Sequence, residues 1–145
     1  MNIALLLLLL LPGSLSLTGC RPLPATGQPP TPAVTEAPPI PVYRKISAQE
    51  AKAHLDKDHT ITLVDVRTEE EYREKRIANS ILIPDYEIEG QAAKMLPKKD
   101  QTLFLYCRSG RRSRAAALKL VAMGYTNVYD FGGIIDWPYE TVSGK

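Results

Sequence analysis

A chain of 145 residues with a formal charge of +2 and 44% hydrophobic residues has room for one modest globular domain. Eighteen Lys and Arg nearly cancel sixteen Asp and Glu, which argues against bulk attraction to nucleic acid or acidic lipid. An apolar run fills 3–11 and eight of the twelve prolines lie from Pro22 to Pro41, so setting aside the first 41 residues leaves 104 for a core, which excludes a large multidomain enzyme.

The run from Ile3 to Leu11 is about half as long as a transmembrane helix requires, and Pro12-Gly13 interrupts it, as in the apolar region of a signal peptide. Leu17-Thr-Gly-Cys20 then resembles the lipobox of bacterial lipoproteins. The resemblance implies a signal peptide over residues 1–19, cleavage before Cys20, and lipidation of Cys20. Two acyl chains make a stable anchor, so a membrane-anchored, extracytoplasmic lipoprotein is expected. The first residues, Met1-Asn2, depart from the pattern by carrying no Lys or Arg. An ordinary secreted protein or a buried apolar segment is the competing reading. From Arg21 to Pro41 the chain is rich in Pro, Thr and Ala with one charge of each sign, a composition that cannot build a core. Residues 20–41 are therefore expected to form a lipidated N-terminus and disordered linker reaching roughly 65 Å at polyproline rise. Residues 42–145 are left as the folded domain.

Within that domain strand and helix patterns alternate. Val42 to Ile46 reads as a strand, and Ser47 with Glu50 makes a capping box for a helix through Leu55. Ile61 to Val66 is a near-continuous apolar strand. Thr68 with Glu71 repeats the capping box, and the helix it opens has acids in its first turn and Lys75 and Arg76 in its last, as the helix dipole favours. Ile81 to Ile83 is a third strand ended by Pro84, and a helical segment from Gln91 to Leu96 is stopped by Pro97. Thr102 to Tyr106 is a buried fourth strand. A helix beginning near Arg112 places Ala115, Leu118, Val121 and Ala122 on one face, with Gly124 at a left-handed cap. A short strand from Asn127 to Asp130 and a helical turn from Ile134 to Trp137 complete an α/β pattern, a parallel sheet covered on both faces.

In such sheets ligands bind outside the carboxyl ends of the strands, and the fourth strand leads into Cys107-Arg108-Ser109-Gly110-Arg111-Arg112-Ser113. A cysteine at a tight loop entering a helix N-terminus meets free amides and the positive end of the dipole, and Arg108, Arg111, Arg112 and Arg114 add charge. Both lower a thiol pKa and attract an anionic substrate. Competing readings are an inert buried cysteine, a Cys20–Cys107 disulfide and a metal site. The last is disfavoured because His54 and His59 lie far from Cys107 in sequence, and they read as surface or packing residues.

This loop closely resembles the active-site loop of rhodanese-type sulfurtransferases. Asp65-Val-Arg67 with Glu71-Tyr72, Ile81-Leu-Ile-Pro84, and Gly132-Gly-Ile134 with Trp137 agree with that family in order, from about Val42 to Tyr139. Where the family commonly has Gly-His-Ile-Pro-Gly-Ala, this chain has Lys75-Arg-Ile-Ala-Asn-Ser80. The resemblance implies a rhodanese-like three-layer α/β domain with a central, mostly parallel five-stranded sheet flanked by helices. It implies Cys107 as a persulfide-forming nucleophile and Arg108, Ser109, Gly110, Arg111, Arg112 and Ser113 as the substrate-binding loop. Asp65, Arg67 and Glu71 are expected to be supporting contacts, and Gly132, Gly133 and Trp137 turn and packing residues.

The expected reaction moves a sulfane sulfur from thiosulfate or a persulfide or polysulfide donor to a thiol or other thiophilic acceptor. The expected partners are thus a small anionic donor, that acceptor, and a membrane through the N-terminal lipid, with no nucleic acid, cofactor or metal. Cysteine phosphatases and arsenate reductases use Cys-x5-Arg, whereas the sixth position after Cys107 is Ser113, and Arg112 makes Cys-x4-Arg. A non-catalytic binding or sensing module is the reading from a different class, and the intact cysteine and arginine loop argue against it.

Overall fold

A computed structural model describes residues 42–144. The targeting segment, Cys20 and the Pro-rich linker lie outside the described residues, and no helix among those described is long and apolar enough to cross a membrane. In chain order the elements are β1 (Val42–Lys45), α1 (Ala48–Leu55), β2 (Thr62–Asp65), α2 (Glu69–Glu74), β3 (Ile81–Leu82), α3 (Ile88–Met95), β4 (Thr102–Cys107), α4 (Arg111–Ala122), β5 (Asn127–Gly133) and a 3-10 turn (Ile134–Asp136). The five strands form one parallel sheet in the order β1-β5-β4-β2-β3, which puts β4 at its centre. This is the α/β architecture that the sequence leads one to expect, a five-stranded sheet flanked by helices, parallel throughout.

Both predicted capping boxes form. Ser47 Oγ accepts the Glu50 amide at 3.1 Å while Glu50 accepts the Ser47 amide at 2.7 Å, and Thr68 and Glu71 exchange the same pair at 3.3 and 3.1 Å. Period-two alternation along β4 divides the core. Leu103, Leu105 and Cys107 face α3 and α4 with Val64, Ile88, Leu120 and Tyr125. Phe104 and Tyr106 face the α1 side with Ala51, Leu63, Phe131 and Trp137.

Four expectations need correction. The buried face of α4 is Ser113, Ala116, Ala117 and Leu120; of the four residues expected there only Val121 packs against the core, half-buried, while Ala115, Ala122 and Leu118, the last 52% exposed, face outward. An alanine-rich helix has a weak apolar stripe, so its rotation is set by what its first turn must touch. Small residues at 113, 116 and 117 let α4 lie close on β4 and β5. Second, α2 ends at Glu74: Lys75 is extended, Arg73 is the last-turn base, and Arg76 bridges antiparallel to Val142. Third, α3 starts three residues earlier than its polar sequence suggests, because Ile88 anchors it in the core. Fourth, β4 and β5 are longer than expected. Cys107 pairs with Gly133 beyond an irregularity in the ladder, and thus ends β4 instead of opening the loop.

Candidate active site

Cys107 leaves the centre of the sheet on the α4 side, under the loop that its own successors form. The loop turns through Gly110, whose φ of 93° belongs to the left-handed region that a side chain would strain, and enters α4 at Arg111. That turn aims the Gly110 amide at Sγ, 3.0 Å away. Ser113 Oγ lies 3.6 Å from Sγ, 3.2 Å from the Gly110 carbonyl oxygen and 3.3 Å from that of Gly132. Cys107 is only 1% exposed, and burial by itself would raise the thiol pKa. Hydrogen bonds from the Ser113 amide and hydroxyl and from the Ser109 and Gly110 amides outweigh burial and hold the pKa below the ordinary thiol value. The amide nest, more than the arginine cluster, therefore favours the thiolate.

The arginines divide into distinct roles. Arg112 is clasped by Glu71 through two 2.8 Å hydrogen bonds, and this ion pair raises its pKa, with smaller contributions from Cys107 and Asp85. The same contact lowers the Glu71 carboxyl to about 2. Arg108, Ser109 and Arg111 are exposed around the loop, and Gly110 is half-buried. Ser113 is wholly buried and faces the sulfur. Beside the loop lies a cavity of about 610 Å³ whose wall includes Lys45, Ser47, Ser109, Arg111, Arg114 and Asp136. A larger cavity, about 870 Å³, is walled by Leu55, Ile61, Ile77, Trp137 and Tyr139 but includes no loop residue.

Asp65 and Arg67 sit one strand away and make no hydrogen bond to the Cys107 sulfur. Arg67 Nη2 and Nε reach the Asp65 carboxylate at 2.6 and 2.9 Å, both side chains are buried, and Nη2 also bonds the Lys75 carbonyl at 2.5 Å. They tie the end of β2 to the turn after α2. The divergent turn from Lys75 to Ser80 is held to β4 by Tyr106, whose hydroxyl accepts the Ile77 amide and meets Ser80 Oγ, each at 3.1 Å. Asn79 takes the left-handed conformation there, with φ of 63°.

Sequence reasoning missed Asp130. This buried carboxylate accepts the Gly132 amide at 2.9 Å and the Tyr43 hydroxyl at 3.0 Å, and burial together with that bond pushes the Tyr43 pKa up to about 12. Asp130 thereby shapes the Gly132-Gly133 floor on which the loop rests. Its signal in the sequence was an aspartate two residues before a glycine, the mark of an Asx turn. A Cβ at Gly133 would run into the Arg108 carbonyl and come within 2.7 Å of Ser109 Cα, so only glycine admits this approach. Trp137 packs against Phe131 and Tyr139, as a packing residue should. His54 meets the edge of Phe104 and His59 is exposed.

The Rhodanese-like domain family matches residues 47–138. The thiosulfate sulfurtransferase PspE of Escherichia coli K12 is 37% identical over 81 residues, covering 56% of this chain and 78% of that protein. The thiosulfate sulfurtransferase GlpE of Coxiella burnetii is 32% identical over 97 residues, covering 66% and 88%. Among solved structures, a rhodanese with anions from E. coli superposes with a TM-score of 0.55 at 36% identity, over 58% of this chain and 99% of that one. With a cysteine cradle on the central strand and sulfurtransferases as its relatives, the chain belongs to the rhodanese-like domain family and is a sulfurtransferase of the rhodanese type.

Proposed function

We propose that the protein moves a sulfane sulfur from thiosulfate, or from a persulfide or polysulfide, to a thiophilic acceptor through a persulfide on Cys107. The observation that carries this reading is the cradle: a buried sulfur that accepts the Gly110 amide and faces Ser113 at the N-terminus of α4. The Cys107 thiolate attacks the outer sulfur of thiosulfate, the S–S bond of the donor breaks, and its electron pair leaves with sulfite. Sulfite needs no proton to depart, so the step requires no general acid in the cradle. The negative charge on the outer persulfide sulfur is then stabilised by the loop amides. Arg108 and Arg111 draw the anion in, Ser109 and Gly110 line its path, and Arg112 holds the loop through Glu71 while lending its charge.

Two features support sulfur transfer over phosphate or arsenate chemistry. The loop places Ser113, not arginine, at the sixth position after the nucleophile, and Arg112 is engaged by Glu71 instead of pointing free toward an oxyanion. The thiosulfate activity of the PspE and GlpE relatives points to the donor.

The domain, residues 42–145, is proposed to work outside the cytoplasm on a lipidated linker, 20–41, after loss of a signal peptide, 1–19. The lipobox-like Leu17-Thr-Gly-Cys20 supports this arrangement. Incubation with thiosulfate should add one sulfur to Cys107 by intact mass, and addition of cyanide should remove it as thiocyanate. Retention of turnover by Cys107→Ser would overturn the mechanism. Cys20→Ala should release the protein from the bacterial membrane fraction, and unchanged membrane association would count against the anchor.

A further inference from the structure

Tyr86 and Ile135 are the two most exposed large hydrophobic residues among those described, at 66% and 63%. Both stand at the carboxyl pole of the sheet, where Cys107 lies. Tyr86 follows β3, and the amide of its neighbour Asp85 donates to the Val66 carbonyl at 3.0 Å, while the Asp85 carboxylate contributes to the field at Arg112. Ile135 follows β5, and its amide reaches the Arg108 carbonyl of the loop at 3.3 Å. In the order β1-β5-β4-β2-β3 the loop after β4 therefore lies between an apolar residue on one side and an apolar residue on the other.

The charge between these flanks is positive. Arg108 and Arg111 are exposed and form no ion pair among the described residues, while Lys45, Arg111 and Arg114 outnumber Asp130 and Asp136 around the adjoining cavity. A small anionic donor has use for the arginines but none for two separated apolar side chains. We infer that Tyr86, Ile135 and the loop arginines form a docking surface for a protein acceptor that presents a thiol amid acidic and apolar residues.

This inference rests on the persulfide reading and names the acceptor of the second half-reaction. The acceptor thiol loses its proton to solvent and its thiolate attacks the outer sulfur of the Cys107 persulfide. A new S–S bond forms on the acceptor, the bond to Cys107 breaks, and its electron pair restores the Cys107 thiolate. Electrons balance without an added oxidant or reductant. Apolar flanks favour a macromolecular partner, since burial of exposed apolar surface is what stabilises protein association, and the unpaired arginines select an acidic one.

The test uses full-length protein loaded with thiosulfate, then mixed with a synthetic peptide carrying one cysteine among glutamates and leucines, with the same peptide bearing lysines for glutamates, or with 2-mercaptoethanol. The acidic peptide should discharge the persulfide faster than either alternative. The Tyr86→Ser/Ile135→Ser double variant should load normally and react normally with 2-mercaptoethanol, yet lose about tenfold or more with the acidic peptide, a loss on the scale of two apolar side chains withdrawn from a contact. Equal rates for the three acceptors, or a double variant that discharges to the peptide as the parent does, would overturn the docking surface. Concentration-dependent dimerisation of the parent, lost in the double variant, would assign the surface to a second copy and overturn it too. Failure of Cys107 to gain sulfur at all would instead strike the underlying mechanism.

Discussion

Glu71 and Arg112, 41 positions apart, clasp each other through two hydrogen bonds of 2.8 Å, Oε2 with Nη1 and Oε1 with Nη2. Glu71 Oε2 simultaneously accepts the Thr68 amide and hydroxyl at 3.1 and 3.2 Å. One carboxylate thus closes the N-terminus of α2 and anchors the loop that carries Cys107.

Glu71→Gln should loosen the loop without unfolding the domain. A neutral amide keeps one hydrogen bond to Arg112 but surrenders the ion pair, a change of about 1 kcal/mol for a pair that is partly exposed. If that loss falls on the geometry of the transition state, kcat/KM for thiosulfate drops roughly five- to tenfold. Steady-state kinetics check it, with urea denaturation showing that the fold persists.

The same pair sets an acid limit. Glu71 is lowered from 4.5 to about 2 in the folded protein, first by the Arg112 hydrogen bond against a smaller effect of burial. Its contribution is therefore fully present above about pH 4.5 and lost as pH falls toward 2. That contribution is at most about 3 kcal/mol, and nearer 1–2 after screening of a side chain about a quarter exposed. Stability measured against pH should fall less steeply in Glu71→Gln across that window.

Ser113→Ala removes a hydroxyl donor to Sγ while leaving the loop amides in place. The Cys107 pKa should rise toward the ordinary thiol value, so alkylation by iodoacetamide needs higher pH to reach half its limiting rate. Sulfur loading at neutral pH should slow by about tenfold, the worth of one hydrogen bond to a charged group. An unchanged alkylation profile would show that the amides alone hold the thiolate.

Gly133→Ala pushes a methyl group into the Arg108 carbonyl and Ser109 backbone, which cannot swing aside as a long side chain could. It should cost about 1–3 kcal/mol of stability and most of the activity. Gly124→Ala is the control. Gly124 has φ of 89° at the far end of α4 and open space around it, so alanine there should cost about 1 kcal/mol and spare turnover. Thermal unfolding and loading by mass spectrometry separate the two effects.

Asp65→Ala leaves the Arg67 guanidinium buried without its carboxylate. The expected loss is about 3–5 kcal/mol, the largest of these substitutions, because a buried charge stripped of its partner keeps its desolvation penalty. Chemical denaturation checks it. A loss below about 1 kcal/mol would mean that water reaches Arg67.

Features set within a few residues are legible in the amino-acid sequence alone: the capping boxes at Ser47 and Thr68, the apolar strands, the left-handed Gly124, and the cysteine loop entering a helix. Their hydrogen bonds close locally, so residue type and spacing suffice. Two other features depend on which strands become neighbours. Glu71 reaches Arg112 because β2 pairs with β4, and Asp130 supports the loop because Gly133 pairs with Cys107. The buried face of α4 follows the demand that Ser113 meet Sγ, a demand that a weakly patterned alanine helix cannot announce. The cysteine loop that resembles the family's is written in seven consecutive residues, while the scaffold that holds Cys107 in place is assembled by contacts across the sheet, whose order no local pattern encodes.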